Sequence, residues 1–237
     1  MASSIVVFDF DWSLINCNSD TFVVEQMGAS DLMRSLRRSL PWTDLMDTMM
    51  VEIMSRGRTL AEIEASLRTI PLDSSMSRAI RAVAAAGYEL QIISDANTLF
   101  IQTILDNFNL TRFFSEIHTN PASLDDHGLL RVRPYQSSEV PHGCLICPPN
   151  MCKGLILDRI LSSKPAENRV VYIGDGRGDI CPSLRLKVDD HLLARVEFPL
   201  AKHIENNREI FKANLHLWSS PKDIENHLLD ILDLRAT

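Results

Sequence analysis

The stretch Ile5-Val6-Val7-Phe8-Asp9-Phe10-Asp11-Trp12-Ser13 decides how the rest of the chain is read. Four consecutive apolar residues, two of them Val, have the composition of a short strand buried on both faces, as in a parallel sheet. The run ends in two carboxylates one residue apart. In open α/β sheets ligands bind at the carboxyl ends of the strands, so Asp9 and Asp11 stand where chemistry is expected. Side chains at i and i+2 of an extended segment point the same way. Like charges held that close need a cation or a shared proton between them. An isolated Asp-x-Asp would serve equally well as a solvated turn or a helix N-cap, and only the remaining sequence separates these readings.

A chain of 237 residues can bury one sizeable core and still carry a small accessory domain. Its 45% hydrophobic and 23% charged content is that of an ordinary globular protein. The net charge of −7 argues against nucleic acid or an anionic membrane as a partner. A negative protein that handles phosphate must then supply positive charge locally. No apolar run is long enough for a transmembrane helix, and the N-terminus lacks the basic and apolar regions of a signal peptide. Five cysteines, three of them between Cys144 and Cys152, do not resemble a disulfide framework. The expected location is the cytoplasm.

Residues 16–70 read as a helical block of three helices. Phe22, Val23 and Met27, then Leu45, Met49 and Ile53, recur at helical spacing, with Pro41 and Gly57 as breaks. Thr59-Leu60-Ala61-Glu62 matches a capping box. Met46, Met49, Met50 and Met54 are assigned to core packing. Beyond Pro71, helices are expected over 74–87, 98–108, 152–163 and 222–234. Strands are expected at 89–93, 117–120, 129–133, 169–173 and 191–196. This alternation specifies a three-layer α/β core with a parallel sheet, over 1–15 and 71–237, and a helical cap over 16–70 inserted after the first strand.

Polar clusters then fall at three strand ends: Asp9/Asp11, Ser94/Asp95 and Asp175/Asp179, with Lys153 opening a helix before the last. Singly, Ser94 would be a helix cap, Lys153 a surface lysine, and Gly174-Asp175-Gly176-Arg177-Gly178-Asp179 a glycine-rich turn. Together they make a phosphoryl-transfer site. Asp9 would attack phosphorus, giving an aspartyl-phosphate. Asp11 would protonate the leaving alcohol and then deprotonate water. Mg²⁺ takes oxygen ligands, which Asp9 and Asp175 offer with Asp11 beside them. Ser94 and Lys153 would hold the transferring oxygens, and Asp179 would anchor Lys153 or the metal's waters.

Asp9-Phe10-Asp11-Trp12-Ser13, Ser94, Lys153 and Gly174-Asp175-Gly176-Arg177-Gly178-Asp179 resemble, in order, the four motifs of the haloacid dehalogenase superfamily of phosphatases. Asn18-Ser19-Asp20, Ser94-Asp95-Ala96-Asn97-Thr98, Cys147-Pro148-Pro149-Asn150-Met151-Cys152-Lys153 and Tyr172-Ile173-Gly174-Asp175-Gly176 resemble more closely the phosphoethanolamine/phosphocholine phosphatase family. Plant members of that group are also described as pyrophosphatases or thiamine monophosphate phosphatases. The resemblance implies a Rossmann-like core, a helical cap, Mg²⁺ as cofactor and a small phosphorylated metabolite as substrate. It makes Asp20, Asp95, Asn97 and Gly176 substrate-binding, with the two aspartates facing a cationic leaving group. Caps for adjacent helices are the competing roles for Asp20 and Asp95. Trp12, Phe22 and Trp42 are offered as an aromatic wall for a quaternary ammonium. Ser13 stands where the superfamily usually has Thr, and Arg177 is expected to face solvent.

Two further readings stand beside this one. His142, Cys144, Cys147 and Cys152 offer zinc ligands within eleven residues, although a loop positioning Lys153 is the favoured account. A phosphoaccepting receiver module uses a similar acidic cluster with Ser/Thr and Lys. Such a module is about half this length and lacks an inserted helical block. Sequence alone leaves the released alcohol and the oligomeric state open.

Overall fold

The structure is a computed structural model and describes residues 4–137, 139–165 and 167–234; the outermost ends of the expected core lie outside this range. In chain order the strands and helices are β1 (Ser4–Phe8), α1 (Ser19–Gln26), α2 (Ser30–Leu36), α3 (Trp42–Ser55), α4 (Leu60–Leu67), α5 (Ser74–Ala85), β2 (Glu89–Asn97) and α6 (Thr98–Asn107). Then come β3 (Phe114–Asn120), β4 (Ala122–Leu124), β5 (Leu130–Val132), α7 (Lys153–Ser162), β6 (Arg169–Gly174), α8 (Ile180–Ser183), β7 (His191–Arg195), α9 (Pro199–Asn206), β8 (Asn214–Trp218) and α10 (Pro221–Ile231).

The main sheet runs β3-β2-β1-β6-β7-β8, with every neighbouring pair parallel. β1 is buried along its whole length and its side chains divide between two cores. Val6 and Phe8 join Val171 and Ile173 in one layer, while Ile5 and Val7 join Val170 and Tyr172 in the other. This alternation is why the strand needs apolar residues at every position. The chain leaves β1 to opposite sides of the sheet centre, first to β2 and later to β6. That makes β1 part of a topological switch point, where such sheets leave a crevice at their carboxyl ends.

Between β1 and α5 lie four helices rather than three among the described residues. The additional break is at Gly28, in the left-handed region at φ +74°, and Ala29, which opens α2 without a side-chain cap. The Thr59–Glu62 capping box forms as expected. Met46, Met49 and Met50 are fully enclosed and Met54 packs beside them, so this methionine run is core. The strands expected at 117–120 and 129–133 both form. The first belongs to β3 at the edge of the main sheet, and the second is β5, whose antiparallel partner is β4, beyond Pro121. The sequence reading also missed β8 and α9.

Candidate active site

The site begins where β1 gives out. Asp9 Oδ1 accepts from the Phe10 amide at 2.7 Å, and the Asp9 amide donates to the Ile173 carbonyl of β6 at 2.8 Å. The carboxylate is thereby tied to the first turn and to the neighbouring strand. Residues Phe10–Leu14 then form a tight turn containing Trp12 at φ +59°, a conformation that L-residues adopt at a cost. Arg195, at the end of β7, donates to the Trp12 carbonyl at 2.7 Å. Its guanidinium also lies 5.6 Å from the Trp12 ring centroid and 4.3 Å from that of Phe198. This clamp holds the strained turn.

Lys153, 3% exposed, reaches from the start of α7 to Asp9 Oδ2 at 2.8 Å and Asp179 Oδ1 at 3.0 Å. Asp179 is fully buried and its acceptor capacity is occupied. Oδ1 also takes the Tyr172 hydroxyl at 2.7 Å; Oδ2 takes the backbone amides of Asp175 at 3.1 Å and Gly176 at 2.9 Å. A Cβ on Gly174 would strike the Asp179 carboxyl group, so glycine is needed for this approach. Asp175 takes the Ser13 hydroxyl at 3.1 Å, so Ser in place of Thr keeps the contact a hydroxyl makes. Ser94, 1% exposed, is held by the Ala96 amide at 3.2 Å.

The cavity holds 160 Å³ and is lined by Asp9, Asp11, Asp95, Asp175, Asp179, Ser94 and Lys153 together with Trp12 and Trp42. Five carboxyl groups and one ammonium line it. Burial pushes the Asp9 carboxyl well above the usual carboxylate range; Asp179 adds to this and Lys153 works against it. Burial, then Asp179, lifts Asp175 to about 7. Burial lifts Asp11 to about 6 against hydrogen bonds from Ser19. Burial alone would lower the Lys153 ammonium, but Asp179, Asp9 and Asp95 hold it well above its usual value. The carboxylates of Asp9, Asp175 and Asp179 lie within 4.8 Å of one another. An all-oxygen donor set with this charge excess suits a hard divalent cation.

The structure gathers Asp9, Asp11, Ser94, Asp95, Lys153, Asp175, Gly176 and Asp179 about one cavity. Three expectations need correction. The Asp11 side chain does not join the metal-facing carboxylates. It accepts from the Ser19 amide at 2.9 Å and from Asn18 Nδ2 at 3.1 Å, so its oxygens are turned toward the start of α1. Asn97 is no wall residue, because its Oδ1 caps α6 through the Phe100 amide at 3.0 Å. Asp20 lies behind the wall, 2% exposed, accepting from Trp42 Nε1 at 2.8 Å. Burial, then Asp11, pushes the Asp20 carboxyl well above its ordinary value, which favours its neutral form. Of the aromatic residues, Trp12 and Trp42 line the cavity and Phe22 packs against the core. Arg177 is exposed and faces an outer groove with Lys202 and His203.

Several supporting residues were absent from the sequence reading. Asn150 donates to Asp95 Oδ1 at 2.7 Å. Asn120 donates to the Asp95 and Ala96 carbonyls at 2.7 and 3.0 Å. Tyr172 and Arg195 act as described above. Asn150 and Tyr172 stand inside the quoted motifs, and that position was the available signal.

A parallel sheet with catalytic-type carboxylates at adjoining strand ends, a buried lysine between them and helices inserted after β1 defines a phosphatase of the haloacid dehalogenase superfamily. The chain belongs to the family described as "Putative Phosphatase", whose model matches residues 4–232. It is 43% identical to the thiamine phosphate phosphatase-like protein of Arabidopsis thaliana, over 98% of this chain and 96% of that one. It is 44% identical to inorganic pyrophosphatase 2 of the same plant (97% and 84% covered) and 31% identical to human pyridoxal phosphate phosphatase PHOSPHO2 (94% and 96%). A substrate-bound phosphoserine phosphatase shares the fold, with a TM-score of 0.63, 15% identity and 98% of each chain covered.

Proposed function

We propose that this phosphatase is Mg²⁺-dependent and hydrolyses a small phosphate monoester of a cationic alcohol, of the phosphoethanolamine or phosphocholine type, with α1–α4 acting as its cap. The observation that carries the substrate class is the Asp95 carboxylate on the cavity wall beside Trp12 and Trp42. A carboxylate attracts an ammonium, and indole faces add cation–π attraction of about 0.5–2 kcal/mol. The 160 Å³ cavity is well below the roughly 300–1,000 Å³ of drug-sized ligand sites, which favours a small ester.

In this reading Asp9 attacks phosphorus, the bond to the alcohol oxygen breaks, and Asp11 delivers its proton to that oxygen. An Asp11 carboxyl lifted to about 6 carries enough protonated form near neutrality for that task. Water then gives a proton to Asp11 and attacks phosphorus, breaking the Asp9–phosphorus link and releasing phosphate. Ser94 and Lys153 hold the equatorial oxygens, and Asp179 keeps Lys153 in place. Asp9 and Asp175 would hold Mg²⁺, which supplies positive charge against the phosphate dianion.

Among the activities named for relatives, thiamine phosphate falls in the same cationic class. Pyrophosphate would place a second anion among the wall carboxylates, and Arg177 does not line the cavity to receive it. The test is kcat/KM for phosphocholine, phosphoethanolamine, thiamine monophosphate, pyrophosphate and a neutral aryl phosphate, in wild type and Asp95→Asn. Asp95→Asn is expected to depress the cationic esters about tenfold relative to the neutral one. Equal effects on all esters would end the charge-selection reading.

A further inference from the structure

Between β5 and α7 lie residues 133–152, with no helix or strand among those described. A connection of such length inside a compact domain needs a reason for its order. Apolar burial does not supply one at its tip, because Leu145 and Ile146 stand out in solvent. Those two residues lie inside Cys144-x-x-Cys147, and the sulfurs on either side point inward toward two others. The Sγ atoms of Cys144, Cys147, Cys152 and Cys181 all lie within 4.8 Å of one another. Cys152 caps α7, and Cys181 comes from α8, just beyond the Asp179 turn.

We propose that Cys144, Cys147, Cys152 and Cys181 bind one structural Zn²⁺ ion, which ties the Lys153 end of α7 to the Asp179 turn. Zinc in a four-thiolate site is tetrahedral with Zn–S of about 2.3 Å, so neighbouring sulfurs stand about 3.8 Å apart. The Cys144–Cys181 and Cys152–Cys181 sulfur separations are 3.8 and 3.7 Å. The same cysteines are free thiols, without a disulfide among them. The backbone has also made room for the cluster. A Cβ on Gly154 would collide with Cys181 Sγ and Arg185 Nε, so glycine at the second position of α7 admits both. The Arg185 side chain reaches Cys181 while its Nη1 pairs with Asp158. A guanidinium there offsets part of the −2 charge that Zn²⁺ and four thiolates would carry.

The donor set differs from the one the sequence offered. His142 is occupied: its Nδ1 accepts from the Cys144 amide at 3.0 Å and its Nε2 donates to the Pro148 carbonyl at 2.9 Å. It shapes the knuckle, and Cys181 takes the fourth position. Binding exchanges protons only: Zn²⁺ displaces a proton from each of four thiols, with no change of oxidation state.

Metal content is measured on the full-length protein purified without added zinc or chelator, beside His142→Ala, Cys181→Ser and Asp175→Asn. About one zinc per chain is expected in wild type, retained in His142→Ala and in Asp175→Asn, and lost in Cys181→Ser. Retention in Asp175→Asn separates this site from the carboxylate cluster. Should Cys181→Ser fail to fold, cobalt replacement in wild type serves instead, with the intense thiolate charge-transfer and tetrahedral visible bands expected. Hydrogen exchange over 143–153 and 179–185 is expected to rise when a zinc-selective chelator is added in excess Mg²⁺. Less than a tenth of an equivalent in wild type, loss of zinc in Asp175→Asn or His142→Ala, retention in Cys181→Ser, or a cobalt spectrum without thiolate bands would overturn the site. Unchanged exchange after zinc removal would overturn the tie.

Discussion

Asp179→Asn alters one atom of a buried carboxylate that faces donors on both sides. Lys153 and the Tyr172 hydroxyl approach Oδ1; the amides of Asp175 and Gly176 approach Oδ2. An asparagine has one acceptor oxygen. Turned toward the amides, it leaves the lysine and tyrosine protons without their acceptor; turned the other way, it abandons two backbone amides. Each buried donor left unpaired costs about 1–3 kcal/mol, so two cost about 4 kcal/mol. Charge terms oppose each other: with all groups ionised, one attraction (Lys153) is lost and two repulsions (Asp9, Asp175) are relieved, each about 3–6 kcal/mol at an effective dielectric near 20. Burial favours neutral Asp9 and Asp175, which removes most of that repulsion, so the hydrogen-bond loss sets the sign. About 4 kcal/mol in a chain of this size lowers the melting temperature by roughly 8–16 °C. Thermal unfolding in Mg²⁺ and in EDTA measures it. A melting temperature within about 2 °C of wild type in both buffers would refute the account of Asp179 as the saturated anchor.

The other expectations concern catalysis, pH and the Trp12 turn. Asp9→Asn is expected to abolish turnover of every ester, and substantial retained activity in a steady-state assay would remove Asp9 as nucleophile. Asp11→Asn is expected to lower kcat by about 10²–10⁴ with little change in KM, since general acid–base catalysis is what it loses. In metal-free protein, burial raises the Asp11 pKa from 3.8 to about 6, so the folded state holds this proton more tightly than the unfolded state does. The group therefore costs stability above about pH 6 and costs nothing below about pH 4. Urea unfolding at several pH values should show Asp11→Asn gaining stability relative to wild type across that window, and a flat difference would contradict the shift. Arg195→Met should free the Trp12 turn and destabilise by about 1–3 kcal/mol; an unchanged urea midpoint would deny the clamp.

The strand-end groups were legible because each stands just beyond a strand-like run, whereas Lys153 was legible only with the other motifs. Ile5–Phe8, Leu90–Ile93 (broken only by Gln91) and Val170–Ile173 announce buried strands, and the polar residues just beyond them lie at the strand ends. Orientation was not legible. Asn97 and Asp20 lie close in sequence to site residues, yet one turns back to cap α6 and the other is covered by Trp42. β8 was missed because its exposure pattern is that of a half-solvated sheet edge, with no continuous apolar run to mark it. The fourth member of the four-cysteine cluster was not legible, for a different reason. Three members are close in sequence, so His142 looked like the fourth. Cys181 lies 29 residues after Cys152 and reaches it only through packing of α8 on α7.

The same distinction orders the whole site. The groups proposed to react and to hold phosphate come from the ends of β2, β1 and β6, which adjoin at the sheet centre, and from the start of α7. Two of its props come from the strands one step further out. Asn120 at the end of β3 clamps the backbone after Ser94, and Arg195 at the end of β7 clamps the strained turn after Asp9. A reacting group advertises itself by residue type and local spacing. A prop is defined by the neighbour it holds, and neighbours follow from strand order. Nothing in the local sequence of Asn120 or Arg195 says that β3 borders β2 or that β7 borders β6. Sequence reading therefore reaches the centre of this site and stops one strand short of what keeps the centre in place.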